Sequence, residues 1–390
     1  MRRVRLKEIG TFYSGLSGKS KSDFSEGNAL LVTYRNIFNN PVLNPAIKDT
    51  VVVGKDEKQN EVLWGDILIT GSSETPADAG MSSVVLFNPQ EKMYLNSFCF
   101  GFRLNDMNEA LPSYIGHLLR STSIRAAISK TAFGVTRFNV NRMRFADIEI
   151  PLPPLNIQKE IVSILDSFTS LIDKMKQEVE MRKKQMEYYR EKLMAPQKNW
   201  KIKTLGEIGT FTRGNGLQKS DFRVKGFPCV HYGQIHTYYN TCIYKTKSFC
   251  EEDLAKKLQK ASYGDLLIAT TSEDVKACCK AAVWFGAGDV AYSGDSFCYS
   301  HDQDPKYMAY LFQTEMFAKQ KQKAATGAKV IRVSGESMAS FSFAFPPLVQ
   351  QRQIASILDT FETYISKLEK MIELRQKQYE YYREKLLTFE

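Results

Sequence analysis

No run of about 18 apolar residues occurs in the 390-residue chain, so the sequence offers no membrane-spanning helix. Its start, Met1-Arg2-Arg3-Val4-Arg5-Leu6, lacks the apolar stretch of a secretion signal, and cytoplasmic residence is the expectation. The seven cysteines, Cys99, Cys229, Cys242, Cys250, Cys278, Cys279 and Cys298, show no CxxC spacing, which excludes a zinc knuckle and predicts reduced, mostly buried thiols. Histidine is scarce too: His117, His231, His236 and His301 form neither HExxH nor HxH, and no metal site is expected. Catalytic signatures are missing, with no GxSxG elbow, no GxGxxG after a strand and no Asn-Pro-Pro-aromatic sequence of an amino-methyltransferase. Gly15-Leu16-Ser17-Gly18-Lys19-Ser20 ends like a phosphate-binding loop, but its required first glycine is Tyr13, and Gly214 to Ser220 lacks the glycine before Lys219. Both read as turns. Asp66 and Asp265, each after a glycine at the start of an apolar strand, read as turn formers.

What the chain does carry is positive charge. With 53 Lys and Arg against 43 Asp and Glu, its net charge of +10 makes a polyanion the first partner to consider, because basic side chains gain affinity by releasing counterions from phosphates. An anionic membrane surface would attract it by the same physics.

The chain is also written twice. Leu6-Lys7-Glu8-Ile9-Gly10-Thr11-Phe12 recurs as Leu205-Gly206-Glu207-Ile208-Gly209-Thr210-Phe211, and Trp64-Gly65-Asp66-Ile67-Leu68-Ile69 as Tyr263-Gly264-Asp265-Leu266-Leu267-Ile268, an offset of 199 residues. Later the offset falls to 193: Pro153-Pro154-Leu155 matches Pro346-Pro347-Leu348, and Glu187-Tyr188-Tyr189-Arg190-Glu191-Lys192-Leu193 returns unchanged as Glu380 to Leu386. So long a period suits a duplicated domain plus helix, not a solenoid, and predicts pseudo-two-fold symmetry.

Apolar residues at Ile161, Leu165, Phe168, Ile172, Met175, Val179, Met186, Tyr189 and Leu193 alternate steps of three and four, as do Ile354, Leu358, Phe361, Ile365, Leu368, Ile372, Tyr379, Tyr382 and Leu386. Arg182 and Arg375 interrupt the two seams at the same place. Each seam of about 33 residues predicts a helix of about 50 Å. An exposed seam needs a partner, either its own duplicate in an antiparallel coiled coil or another copy of the chain. The outer face of each helix end carries Tyr188, Arg190 and Lys192, or Tyr381, Arg383 and Lys385; such a face is either solvated or a docking site for two identical partners.

The remainder reads as mixed α/β (α+β) globular domains, giving four segments: 1–153, a helix 154–196, 197–345 and a helix 346–390. Strands are expected at Val51 to Val53, Asp66 to Thr70, Ser83 to Phe87 and Asn96 to Leu104, and again at Leu266 to Thr270, Ala281 to Phe285 and Ser296 to Tyr299. One helix is expected over Leu111 to Lys130 and one from Pro305 to Gln322. Between them lie polar loops that differ where their flanks agree. Tyr34-Arg35-Asn36 answers Tyr232-Gly233-Gln234 after His231; Ser72-Ser73-Glu74 answers Thr271-Ser272-Glu273; Thr136-Arg137-Phe138-Asn139 answers Lys329-Val330-Ile331-Arg332. Arg suits guanine while Asn and Gln suit adenine, although Asn and Gln also cap turns. Lys19, Lys21, Lys219, Arg137, Lys329 and Arg332, with Ser22 and Ser220 beside them, are candidates for phosphate contact.

Pro-Pro-Leu followed by Gln158 or Gln351, Ile161 or Ile354, and Leu165-Asp166 or Leu358-Asp359 resembles the helix of type I restriction-modification specificity subunits. The Gly-Asp-Ile-Leu-Ile strands and Tyr-Tyr-Arg-Glu-Lys-Leu ends do so as well, and the likeness covers both halves. It implies a non-catalytic subunit that binds a bipartite, asymmetric double-stranded DNA site through two target-recognition domains. The helices would act as a ruler and dock two methyltransferase subunits, to which restriction subunits add. S-adenosylmethionine would then belong to the methyltransferases, ATP and Mg to the restriction subunits, and no cofactor to this chain. A self-sufficient nuclease or methyltransferase with an unusual site, or a DNA-binding regulator on the same plan, are the alternatives.

Overall fold

A computed structural model describes residues 2–389. The chain forms two compact units, one from the residues up to Lys176 together with those from Lys370 onward, the other Gln177–Glu369. These units and the four sequence segments are cut at different places, because each long helix lies half in one unit and half in the other.

In the first unit the strands Gly10–Ser14, Cys99–Leu104, Ile67–Thr70 and Ser82–Val84 make an antiparallel sheet in that order. Ile67, Leu68 and Ile69 are fully buried, so the strand is covered on both faces, which is why its apolar run does not alternate. Gly101 lets the Tyr13 ring lie across the sheet, since a Cβ there would stand 2.0 Å from it. The Tyr13 hydroxyl donates to buried Asp66 at 2.7 Å, and Arg103 adds two hydrogen bonds of 2.8 Å. Asp66 also accepts the Leu63 amide at 2.8 Å, so it does form the expected turn. A second sheet orders Thr50–Val51, Ala29–Val32 and Met93–Leu95, and Arg2–Arg5 pairs with Glu149–Leu152 to bring the domain's two ends together.

The second unit repeats this with five strands in the order Gly209–Arg213, Ser296–His301, Leu266–Ala269, Lys280–Trp284 and Cys242–Ile243. Its start and end also meet, Lys201–Thr204 pairing with Ser342–Phe345. The seven cysteines are free, and all but the half-buried Cys242 are buried.

Apart from shifted strand ends, two sequence expectations need correction. The helix expected over Leu111 to Lys130 is two helices, Pro112–Leu119 and Thr122–Ser129, and its counterpart is also split, into Pro305–Leu311 and Glu315–Ala324. Ser121 and Thr314 cause the breaks: their hydroxyls turn back to the carbonyls of Leu118 and Leu311, both at 2.7 Å, competing with the helical ladder. The expected loops at Tyr34-Arg35-Asn36 and Tyr232-Gly233-Gln234 are instead the starts of short helices, Tyr34–Asn39 and Tyr232–Thr237, capped by Thr33 and His231.

The long helices run Leu155–Leu193 and Leu348–Leu387, 39 and 40 residues. In the first unit Ile161, Leu165 and Ile172 share a core with Tyr379 and Leu387, and Phe168 stacks on Tyr382 at 5.5 Å. In the second, Tyr189 stacks on Phe361 at 5.6 Å and Lys183 pairs with Glu369 at 2.9 Å, so the helices run antiparallel there. Buried Gln158 fixes the first helix to its domain, accepting the Leu111 amide at 2.9 Å and donating to the Glu109 and Pro153 carbonyls. Gln351 does the same with the Asp304 amide at 3.0 Å and the Pro346 carbonyl at 2.9 Å. At the far ends, Glu384 accepts the Thr122 amide at 2.9 Å and Glu191 accepts the Glu315 amide at 3.1 Å, each carboxylate capping a domain helix.

Replacing Gln158 by Met keeps the volume but orphans the Leu111 amide, which should cost the first unit about 1–3 kcal/mol. Urea denaturation reads this directly; a midpoint unchanged at equal slope would show that the amide anchor is dispensable.

Candidate nucleic-acid interface

In the first domain the strand Ser72–Ser73 pairs with Phe138–Val140, Ser72 facing Asn139 and Ser73 facing Phe138. That register gathers residues distant in sequence. Tyr34, Phe38, Ser73, Glu74, Thr75, Asp78, Thr136 and Arg137 line one cleft of about 510 Å³. Tyr34 stacks on Phe38 at 5.7 Å. Exposed Arg137 is aimed by two contacts, a 3.0 Å hydrogen bond to Ser72 Oγ and the Phe98 ring, whose centroid lies 5.3 Å from the guanidinium. Gly134, at φ 131°, turns the hairpin next to it. The tip presents Val135, 90% exposed, and Phe133, 58% exposed, so the cleft has an apolar rim.

The second domain repeats the paired strands and the glycine turn with different residues. Thr271–Ser272 pairs with Ile331–Arg332, and Gly327 at φ 101° turns the hairpin. Here the exposed side chains include Lys329 and Arg332, with Val330 between them 40% exposed. Thr271 is buried and donates to Asp295 at 3.2 Å. One domain therefore offers an arginine framed by apolar groups, the other a basic hairpin.

Other candidates lie elsewhere or are already engaged. Lys19 is held by Glu57, with its side chain 8% exposed, and the ammonium pulls that carboxyl down to about 2. Lys21 and Ser22 are exposed on a 3₁₀ turn beside Thr50–Val51, and Lys219 and Ser220 occupy the matching turn. Arg35 is exposed on its short helix. The Asn36 amide accepts the Asn44 amide proton at 3.1 Å and donates to the Asn44 carbonyl at 3.0 Å. Gln234 accepts the His231 amide at 3.0 Å and donates to Ser248 at 2.6 Å. An amide that reads adenine needs its donor and acceptor free; both of these side chains are committed to local turns. His231 is buried, accepts the Gly233 amide at 3.2 Å and packs 4.5 Å from the Tyr232 ring. Phe98, Phe133 and Val135 join this region only through the fold; in the sequence only the divergence of Thr136-Arg137 from Lys329-Val330 marks the hairpin.

On the long helices Tyr188 and Tyr381 are 59% and 61% exposed, with Lys192 and Lys385 beside their rings. Arg190 and Arg383 turn inward to Glu191 and Glu384, supporting the two capping carboxylates. An exposed apolar series also recurs at equivalent positions, Ile164, Leu171 and Met181 on one helix, Ile357, Tyr364 and Leu374 on the other. Among the described residues no helix is long and apolar enough to cross a membrane, and no cluster of three His, Cys, Asp or Glu is placed to hold a metal.

The family model for the type I restriction modification DNA specificity domain matches residues 1–181 and again 197–376. The chain belongs to this family of specificity subunits. A putative type I restriction enzyme specificity subunit of Haemophilus influenzae is 30% identical over 272 residues, 66% of this chain and 68% of that one. The EcoR124I/EcoR124II specificity subunit of Escherichia coli is 28% identical over 256 residues, 62% of this chain and 63% of the relative. The aligned stretches thus span about two thirds of these relatives. In fold, the chain is similar to the S subunit of a type I restriction-modification system from M. genitalium, with TM-score 0.57, 14% identity and coverage of 100% of this chain and 96% of the other. A structure from a study of type I complex assembly and conformational transition gives TM-score 0.60 at 14% identity, covering 99% and 97%. As a specificity subunit the chain is a non-catalytic component.

Burial lowers the pKa of His231, His236 and His301 from 6.5, and His301 Nε2 has no hydrogen-bond partner. The unfolded chain then binds more protons than the folded one, so stability is full above pH 6.5 and is lost as pH falls below it. The second unit should denature more easily at pH 5 than at pH 7, and His301→Gln should reduce that difference; an equal pH dependence in the variant would rule out His301 as a source.

Proposed function

We propose that each domain of this specificity subunit reads one half of a bipartite, asymmetric double-stranded DNA site. The observation that carries this is the pair of equivalent hairpins with different chemistry, Thr136-Arg137 beside a cleft in one and Lys329 with Arg332 in the other. A duplicated scaffold with divergent reading groups gives two unlike half-sites. Arg137 is the best placed for a base edge, since Ser72 and Phe98 orient its planar donors. Lys329, Arg332, Lys21, Lys219 and Arg35 are assigned to phosphates, where a mobile cation suffices.

The helices, at 39 and 40 residues, would each span about 60 Å at 1.5 Å per residue, long enough to set a spacer between half-sites. Their repeated exposed series, ending in Tyr188-Lys192 and Tyr381-Lys385, supports docking of two methyltransferase subunits, with restriction subunits joining through that complex. In this reading S-adenosylmethionine belongs to the methyltransferases, ATP and Mg to the restriction subunits, and the assembly acts on DNA in the cytoplasm.

Methylome sequencing of cells carrying a chain whose residues 1–153 come from a divergent relative should show one half-site changed and the other kept; a change in both would defeat modular reading. Arg137→Ala should weaken binding by about 1–3 kcal/mol and relax one base position, whereas Lys329→Ala should weaken binding to all sequences and reduce the salt slope by about 1. Binding isotherms over a salt series distinguish the two.

A further inference from the structure

The registers that make the domains equivalent expose one corner where they differ in kind. Ile67 faces Val84 as Leu266 faces Val283, so the turn preceding those second strands holds Ala79-Gly80 in the first domain and Cys278-Cys279 in the second. Gly80 has φ 68° and Cys279 φ 62°, and Cys279 is the one non-glycine residue with positive φ among those described. A glycine conformation has thus been kept while a thiol was placed in it, despite the steric cost to any side chain there.

Two neighbours changed with it. Capping of Thr122 and Glu315 aligns the helices Thr122–Ser129 and Glu315–Ala324, setting Ile128 opposite Lys321. The helices Arg142–Ala146 and Gly335–Ala339 likewise set Phe145 opposite Met338. In the first domain the corner is apolar: a Cβ on Gly80 would lie 2.6 Å from Ile128 and 3.6 Å from Phe145. In the second domain the same corner holds two thiols, a thioether and an ammonium, all buried.

Cys278 Sγ lies 3.9 Å from Cys279 Sγ, and Cys279 Sγ 4.0 Å from Met338 Sδ. Lys321 Nζ donates to the carbonyls of Lys276 at 2.9 Å and Cys278 at 2.8 Å. Arg125 serves the matching carbonyls of Ala77 and Ala79 in the first domain, so binding this turn is common to both. The second domain does it from one helical turn further on, which brings the charge to 6% exposure beside Cys278, and among the described residues it has no salt-bridge partner, Asp274 acting on it only from beyond that range. A buried ammonium without an anion is costly.

We propose that Cys278, Cys279 and Met338 form a site for one soft monovalent cation, Cu(I), with Lys321 as the balancing charge. Thiolates and a thioether are the ligands that select this ion. With metal–sulfur bonds of about 2.3 Å, a trigonal ion holds its sulfurs about 4.0 Å apart, the spacing of the two edges that meet at Cys279. On binding, each thiol releases its proton to solvent, the two thiolates and Cu(I) carry one net negative charge, and the Lys321 ammonium cancels it. A tetrahedral zinc ion would require a fourth donor, and no cluster of three His, Cys, Asp or Glu surrounds this corner among the described residues. The site lies directly beneath the hairpin strands, Cys278 Sγ being 3.1 Å from the Thr270 carbonyl oxygen.

The test uses the full chain, reduced and kept under anaerobic conditions, equilibrated with Cu(I) held by the coloured chelator bathocuproine disulfonate. The native chain should withdraw one equivalent, and X-ray absorption should count three sulfurs at about 2.3 Å. Cys278→Ala with Cys279→Gly restores the residues of the first domain, relieves the backbone at position 279, and should lower affinity by at least about 100-fold without lowering the melting temperature of the copper-free chain. Met338→Leu conserves volume and should reduce the sulfur count to two. Equal copper uptake by the double variant would place the ion on the other five cysteines, and complete release to the chelator by the native chain would leave the corner as sulfur packing only; either result overturns the proposal.

Discussion

Each long helix is gripped at both of its ends by polar groups, and the rest of the structure depends on that grip. At the start, a buried glutamine closes three hydrogen bonds to its own domain; at the finish, a carboxylate caps a short helix of the domain belonging to the other half of the sequence. Leu-type seams alone specify only that two helices pack, and a heptad slip would be inexpensive. Gln158, Gln351, Glu191 and Glu384 remove that freedom, because a shift by one turn would strand buried amides without partners. The identical seven-residue helix ends are thereby given an intramolecular reason: Glu191 and Glu384 make the caps, and Arg190 and Arg383 hold the caps in place.

The duplication and both helices were legible because they rest on long-range regularities, a repeat and a heptad, that survive local noise. Fold class followed from these and from the apolar strands. The breaks at Ser121 and Thr314 were not legible, since a single hydroxyl turning back to the chain does not disturb apolar periodicity. Strand ends also shifted: Asn96, expected within a strand, instead accepts the Phe98 amide at 2.9 Å and makes a turn.

The surroundings of the candidate DNA-facing residues were less legible, for a reason that is also physical. Polar residues in variable loops divide into those that hold the loop and those that face outward, and only coordinates tell them apart. Asn36, Gln234 and His231 belong to the first kind, Arg137, Lys329 and Arg332 to the second. Divergence between the copies falls on this hairpin, yet it could not show that Phe98 would lie under Arg137, because the two are joined only by pairing between distant strands.

Exchange of helix halves between the two compact units also fixes an order in time. Gln177–Glu369 is continuous, so during synthesis every residue of the second unit has been made before the first unit receives the segment from Lys370 onward that carries Tyr379, Glu384 and Leu387. Vectorial synthesis usually lets the leading domain fold first. Here the part of the chain that emerges earliest is the last to be completed, and until then the seam residues Ile161, Leu165 and Phe168 lack the share of their cover that Tyr379, Tyr382 and Leu387 supply.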